Sequence, residues 1–186
     1  SPDGKHIASA SYVEGSDLFD FDNATGVVSN AITLSSGSFE YGVSFSPNSK
    51  ILYIAHVAGG IDQYDLTAAN ILASKTPIMS GGSLIGGIQL APDFKIYTIT
   101  ANLTNGATYL GVINNPNTLG IACNYVDNGV YLGGIDGGDC LPNFFDAYFD
   151  TTLQLNPVAS AGTDVTICPG GGATLNASGG GNYSWN

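Results

Sequence analysis

Closely spaced acidic residues are the first candidates for chemistry in this chain of 186 residues. Asp20 and Asp22 lie in the string 'FDFDNATG', and proteins bind calcium through several oxygen ligands of this kind. Ala24 stands where a third ligand is needed, and no bidentate Glu follows. The string therefore predicts a β-turn with Gly26 at positive φ rather than a metal site.

A second acidic pair and the two histidines are candidates for acid–base catalysis. Asp136 and Asp139 occur in 'GGIDGGDC', and glycoside hydrolysis uses two carboxyl groups on either side of the scissile bond. The surrounding glycines favour a loop with solvated acids instead. His6 and His56 fall in matching parts of a repeat, which favours residues near strand edges over general bases. The sequence thus predicts no catalytic residue, no metal site and no cofactor.

The elements that position these side chains come from an internal repeat. The string 'SPDGKHIASAS' from Ser1 returns as 'SPNSKILYIAH' from Ser46 and as 'APDFKIYTITA' from Ala91, each start 45 residues after the last. A fixed period of this length with strand-like segments is typical of the blades of a β-propeller. Pro at the second turn position presets φ, and Asp or Asn beside it binds the local backbone. The repeat turn positions are Pro2, Asp3, Lys5, Pro47, Asn48, Lys50, Pro92, Asp93 and Lys95.

Four strands are expected in each repeat. An apolar run precedes each turn, at 41–45 and at 86–90, and a second strand follows the turn, at 51–56 and at 96–101. An alternating strand such as 'IDQYDL' comes next, and a fourth begins at Val27 in the first repeat.

Composition supports an all-β fold and excludes two classes of partner. The chain has 26 Gly, 44% hydrophobic residues and only 10% charged residues, which suits sheets more than solvated helices. Fifteen acidic residues face four lysines and no arginine, for a formal charge of -11. Nucleic acid is excluded because binding to phosphates needs clustered Lys or Arg. Membrane insertion is excluded because no window approaches the roughly 18 apolar residues of a membrane span.

Several phrases in order resemble a known family. The strings 'SPDGK', 'FDFDNATGVVSN', 'YGVSFSPNSKILYIA', 'GGIQLAPDFKIY', 'LGVINNPNTLGIACNY' and 'CLPNFF' are similar to the propeller region of large secreted surface proteins of Bacteroidetes. The repeats also resemble those of YVTN and WD-type propellers, and the resemblance spans about residues 1–150. It implies a secreted or cell-surface protein of the gliding-motility and type IX secretion class, with PKD-like or Ig-like modules after the propeller.

Two domains are expected, and both are incomplete. Residues 1–150 supply three blades and part of a fourth, too few to close a ring, so the parent chain is expected to contribute the remaining blades. A linker follows at 151–160, where 'LNPVASAG' begins. Residues 161–186 resemble the first strands of an Ig-like or PKD-like sandwich and are too short to form a core alone.

The three cysteines leave alternatives open. Cys123 and Cys140 begin and end an eighteen-residue segment that is typical of a hairpin or long loop. In a secreted protein they are interpreted as a disulfide, and two buried thiols are the alternative. Cys168 is expected to be unpaired.

Two functions remain open for this fragment. The favoured one is a non-catalytic module that presents a propeller face to a glycan or protein ligand, in adhesion or gliding. The alternative is the substrate-binding part of a propeller enzyme, for example a polysaccharide-degrading one, whose catalytic residues lie on blades outside this fragment.

Overall fold

The chain forms three antiparallel sheets. The computed structural model describes residues 1–37, 39–81, 84–102, 106–142, 166–167 and 170–174. These residues contain eleven β-strands and two short 3-10 turns, which confirms the expectation of an all-β fold. No helix in the described ranges is long and apolar enough to cross a membrane.

The first sheet has three strands in chain order. They are β1 (His6–Ser11), β2 (Gly15–Asp22) and β3 (Val27–Ser35), each antiparallel to the next. Its β1 follows the first repeat turn, so the strand that precedes the turn in the other repeats has no counterpart here. The expected four strands per repeat are therefore present only in the second and third sheets.

The second sheet is a four-stranded antiparallel meander. Its strands are β4 (Glu40–Phe45), β5 (Ile51–His56), β6 (Gly60–Asp65) and β7 (Thr76–Ser80). The bounds of β5 are those predicted from the sequence. A 3-10 turn at Leu72–Ser74 in the connection to β7 was not predicted.

The third sheet repeats this meander. Its strands are β8 (Leu84–Leu90), β9 (Ile96–Asn102), β10 (Gly106–Ile113) and β11 (Tyr125–Tyr131). The connection before β11 includes a second 3-10 turn, Gly120–Cys123. The segment between Cys123 and Cys140 is thus not a separate hairpin, because its first part pairs with β10 as an edge strand.

Two apolar layers join the three sheets. Strand β5 is buried on both faces, so its residues alternate between the layers. Leu52 and Ile54 pack with Leu18 and Leu34 of the first sheet, whereas Tyr53 and Ala55 pack toward the third sheet. The layer between the second and third sheets contains Ile51, Tyr53, Ala55, Ile61, Ile85, Ile88, Leu90, Ile96, Ile113 and Cys123.

A buried polar network also joins the second and third sheets. The Tyr53 hydroxyl donates to the Pro116 carbonyl at 2.8 Å and accepts from the Gln63 amide at 2.8 Å. The Gln63 side chain in turn donates to the Thr118 carbonyl at 2.9 Å and accepts from the Gly120 N–H at 2.7 Å. The buried polar side chains of Tyr53 and Gln63 thus have hydrogen-bond partners, as buried polar groups require.

The sheets have two distinct ends. We call the end at which β1, β5 and β9 begin the turn end, because the three repeat turns lie there. We call the end at which these strands finish the pocket end. Asp3 of the first turn donates its N–H to Ser49 Oγ of the second at 3.0 Å, so neighbouring turns are in contact.

The chain divides into two compact units, Ser1–Asp150 and Thr151–Asn186. The predicted linker at 151–160, Cys168 and most of the predicted module at 161–186 lie outside the described residues, as does the second half of 'CLPNFF'. The identities given to these segments from the sequence therefore stay predictions.

Candidate functional site

The nine repeat turn positions form one turn geometry three times. The N–H three residues after Ser1, Ser46 and Ala91 donates to the carbonyl of that residue, at 3.0, 2.9 and 2.9 Å. The N–H groups of Lys5, Lys50 and Lys95 donate to Asp3, Asn48 and Asp93 Oδ1 at 3.2, 3.1 and 3.2 Å. All these side-chain acceptors bind the backbone of their own turn, so these positions are structural.

The Asp22 carboxylate closes the β2–β3 hairpin. It accepts hydrogen bonds from the Thr25 hydroxyl at 2.7 Å and from the Ala24 N–H at 2.9 Å, and these bonds, that from Thr25 first, lower its pKa. Gly26 has φ +75°, which confirms the predicted turn. Within the described residues, no three His, Cys, Asp or Glu side chains are grouped as a metal site requires.

Asp136 and Asp139 have separate roles. Asp136 Oδ1 accepts from the Gly138 N–H at 3.0 Å and the Ala107 N–H at 3.1 Å, and these two bonds lower its pKa. A general acid in glycoside hydrolysis needs a raised pKa. Asp136 is therefore a loop-structuring residue, and Asp139 lies at a pocket described below.

The two histidines occupy opposite ends of their sheets, so the prediction of matching repeat positions is wrong. His6 begins β1 at the turn end, whereas His56 ends β5 at the pocket end. A spacing of 45 residues aligns His6 with Ile51 instead.

His56 belongs to a charged cluster on the face of the second sheet that packs on the first. Asp62 Oδ2 lies 2.7 Å from His56 Nε2 and 2.8 Å from Lys75 Nζ. Burial by itself would raise the pKa of Asp62, but the hydrogen bonds from His56 and Lys75 outweigh it and lower the pKa. The cluster compensates a carboxylate that is only 7% exposed, which is the condition for burying a charge.

The predicted disulfide does not form. Cys123 and Cys140 are both free thiols, the first buried and the second exposed. Cys123 packs in the apolar layer between the second and third sheets, and burial raises its pKa. Cys140 instead lies 3.6 Å from the Tyr41 hydroxyl. The segment between the cysteines is held by β-pairing and not by a covalent bridge.

An aromatic pocket lies at the pocket end and is contributed by all three sheets. It has a volume of about 240 Å³ and is lined by the residues Tyr12, Tyr41, Val57, Ile85, Gly86, Ile99 and Asp139. Ile85 and Ile99 are each only 1% exposed, so they form an apolar floor. We call this cavity the aromatic pocket.

Three exposed aromatic side chains stand at or beside this pocket. Tyr12, Phe39 and Tyr41 are 52%, 52% and 42% exposed. The Tyr12 and Phe39 rings meet edge to face at a centroid distance of 5.0 Å, a favourable arrangement for two aromatic rings. Phe39 has φ +57°, a left-handed backbone that is costly for a bulky residue.

A buried glutamate holds these aromatic residues in place. Glu40 begins β4 between Phe39 and Tyr41 and is fully buried against the first sheet. Its carboxylate accepts hydrogen bonds from the hydroxyls of Ser16 and Ser35. Because side chains alternate across a strand, an inward Glu40 directs Tyr41 outward, and the positive φ of Phe39 turns that ring toward Tyr12.

The residues that line the aromatic pocket were not predicted from the sequence. Tyr12 and Val57 lie in the connections after β1 and β5, and Asp139 lies far along the chain. One signal was available in 'FEY', where two aromatics flank an acid at the start of an otherwise apolar strand. An acid at that position predicts either a buried carboxylate with hydrogen-bond partners or a functional site. In both cases the neighbouring aromatic side chains are expected to point away from the core.

Comparison with known proteins gives only weak likenesses. No protein-family model matches the chain, and no curated protein matches it. The hydrazine synthase of Kuenenia stuttgartiensis is similar at 16% identity and TM-score 0.44, over 70% of this chain and 35% of that one. A "putative 6-phosphogluconolactonase" of Bacteroides uniformis is similar at 18% identity and TM-score 0.43, over 60% of this chain and 34% of that one. The chain thus spans about a third of these structures, and likenesses this weak say nothing about its activity.

Proposed function

We propose that the three sheets are consecutive blades of a β-propeller, and that this unit is a glycan-binding, non-catalytic module of a large secreted or cell-surface protein. The blade arrangement is supported first by the repeat. Three turns of one geometry recur every 45 residues, and each is followed by an antiparallel meander. In a propeller such units stack side by side with their first strands nearest a common axis.

A recurring close approach of glycines also supports blades. A Cβ added at Gly42 of β4 would lie 2.9 Å from Ile88 Cγ2 of β8. A Cβ at Gly87, 45 residues later, would lie 2.8 Å from the Leu141 backbone N. The chain near Leu141 thus approaches β8 as closely as β8 approaches β4. This is expected when the first strands of successive blades pack around one axis. On this basis we infer that a fourth blade starts at about 139–142.

The aromatic pocket is the single observation that carries the binding proposal. Exposed aromatic side chains rarely cluster on a protein surface without a role, and here Tyr12 and Tyr41 line a concave site while Phe39 packs against Tyr12. Phe39 retains a strained backbone where it contacts Tyr12. Strain of this kind is concentrated at functional sites.

A sugar ring is the ligand that best suits this pocket. Tyrosine and phenylalanine faces carry partial negative charge, so they pack well against the C–H groups of a pyranose face. The pocket of about 240 Å³ is smaller than the roughly 300–1,000 Å³ typical of drug-sized ligands, so it suits one or two sugar units. A protein partner would instead use a broad interface of at least about 1,000 Å² in total.

The absence of catalysis is part of the proposal. Glycoside hydrolysis uses two facing carboxyl groups, and Asp139 is the one carboxylate among the described lining residues. Incubating the chain with each oligosaccharide that it binds, followed by mass spectrometry, should give only intact sugar. Release of shorter products would favour the alternative of a propeller enzyme. The secreted location rests on the family resemblance, and proteolytic shaving of intact cells should release the protein if it is correct.

A glycan array tests the binding proposal. The labelled chain should bind a subset of immobilised oligosaccharides, and Tyr12→Ala and Tyr41→Ala should each lower that signal about tenfold or more, since loss of one aromatic anchor costs roughly 1–3 kcal/mol in comparable stacking sites. Phe94→Ala is the matched control, because Phe94 is an exposed aromatic at the turn end.

If the folded chain gives no binding signal with any oligosaccharide on the array, the glycan proposal is overturned. Equal loss of signal in the Phe94→Ala variant would show that the aromatic pocket is not the binding site. Binding only to protein probes, lost in Tyr12→Ala and Tyr41→Ala, would replace the glycan with a protein ligand at the same pocket.

A further inference from the structure

The lysines of the chain lie outside the described lining of the aromatic pocket. The sequence has four lysines and no arginine, and the lysines are Lys5, Lys50, Lys75 and Lys95. Each directly precedes a strand that starts at the turn end, namely β1, β5, β7 or β9. The Lys75 ammonium reaches back to Asp62, beside His56, and no lysine is among the described residues that line the aromatic pocket.

The aromatic pocket is instead acidic. Asp139 lines it, and the exposed Glu14 lies in the same β1–β2 connection as Tyr12. Tyr41 and Asp139 line the same pocket, and the contact with the Cys140 thiol, burial and, last, the negative charge of Asp139 raise the pKa of Tyr41. The net charge of -11 adds a long-range negative potential.

We propose that the aromatic pocket selects non-acidic sugars, with the highest affinity for a protonated amino sugar, and rejects uronate and sulfated units. This inference rests on the proposed glycan-binding function and names its ligand class. An ammonium group on a hexosamine can pair with Asp139 and lie against the Tyr12 or Tyr41 ring, where cations are attracted. A uronate carboxylate would meet Asp139 with no Lys or Arg among the described lining residues to compensate either charge.

Three tetrasaccharides of equal length test this selectivity by calorimetry with the full chain. They are chitosan tetramer with free amines, chitin tetramer with acetylated amines, and galacturonate tetramer. We expect affinity to fall in that order, by roughly tenfold at each step for one charge contact near a surface. Raising the salt from 50 mM to 500 mM should narrow both differences, because exposed charges are screened.

Two substitutions of one charge locate the effect. Asp139→Asn should lower the affinity for the chitosan tetramer to nearly that for the chitin tetramer. It should change the affinity for the chitin tetramer by no more than about twofold. Asp20→Asn is the matched control at the turn end, where Asp20 is an exposed strand residue, and it should leave the order and spacing of affinities unchanged. Asp139→Lys should admit the galacturonate tetramer.

The outcomes separate this inference from the proposed function. If none of the three tetrasaccharides binds, and the glycan array is also silent, the glycan-binding function fails. If chitin binds but galacturonate binds as tightly or more tightly, only the selectivity is overturned. If Asp139→Asn does not fold, the salt dependence of the unaltered chain decides, and affinities that keep their spacing at 500 mM salt contradict a role for charge.

Discussion

At the turn end, three turns repeat one set of backbone hydrogen bonds, whereas at the pocket end each sheet contributes different residues. Each of the three turns contains a Pro, an Asp or Asn whose side chain accepts a backbone hydrogen bond, and a Lys. The pocket end combines Tyr12 from the first sheet, Tyr41 from the second and Ile99 from the third. Residues that differ between repeats are therefore concentrated where the binding site is proposed.

This difference teaches how a repeat separates stability from function. Identical turns fix the register of the strand that follows, because a shift by one residue would exchange its two faces. With the register fixed at one end, connections at the other end can vary without disturbing the core. Two phenylalanines show the contrast directly, since Phe39 and Phe94 are both exposed and both have positive φ, one at each end.

The largest effect is expected at the anchor of the pocket end. Glu40→Ala leaves the buried hydroxyls of Ser16 and Ser35 without their acceptor and creates a cavity, so it should lower the free energy of unfolding by about 3 kcal/mol. Urea denaturation measures the loss. Glu14→Ala, an exposed acid of the same end, is the control and should change stability by less than about 0.5 kcal/mol. An unchanged unfolding midpoint in Glu40→Ala would contradict the anchoring role of Glu40.

The next largest effect is a pH dependence of the free energy of unfolding that arises from the Asp62 carboxylate. Its pKa is lowered from the ordinary value of 3.8, so the folded state binds the proton less readily than the unfolded state. The ionised group thus contributes stability that is fully present above the unfolded pKa and is lost as pH falls through the lowered folded value. Asp62→Asn should cost about 1–2 kcal/mol at neutral pH.

The pH profile separates this role from simple packing. In urea denaturation between pH 7 and pH 2.5, the difference in stability between the unaltered chain and Asp62→Asn should shrink as pH falls. A difference that stays constant over this range would show that the ionised carboxylate does not provide the stability.

The smallest effect compares the two left-handed phenylalanines. Replacement by glycine relieves a backbone that costs an L-residue about 1–2 kcal/mol, partly offset by the entropy of glycine. Phe94→Gly, at the position that Gly4 holds in the first repeat, should therefore raise stability by up to about 1 kcal/mol and keep glycan binding. Phe39→Gly should gain less, because it loses the ring contact with Tyr12, and it should weaken binding. If the two variants change stability and glycan binding equally, the proposed difference between the turn end and the pocket end is wrong.

The sequence predicted most of the second sheet because its signals are local. The bounds of β5 follow from an apolar run after a turn, and the φ of Gly26 follows from 'DNATG'. Such features depend on neighbours within a few residues, which the sequence displays directly. The 3-10 turns were missed because they span only three or four residues each.

The candidate site was not predicted because its contacts are distant in the chain. Tyr41 meets Cys140 across 99 positions, and neither residue type nor spacing indicates that contact. The proposed Cys123–Cys140 disulfide failed for the same reason, since β11 and the apolar layer separate the two thiols. The lack of lysine among the described lining residues was visible only once the pocket was known.

Ring-selective NMR of the tyrosines is the most direct test that the aromatic pocket binds sugar. The chain has ten tyrosines, and chitin tetramer should shift the signals of Tyr12 and Tyr41, assigned with the corresponding phenylalanine variants, and leave the buried Tyr53 and Tyr64 unmoved. Saturable shifts at Tyr12 and Tyr41 are the expected result. Saturable shifts confined to other tyrosines, or none for any tetrasaccharide at millimolar concentration, would contradict binding at this pocket.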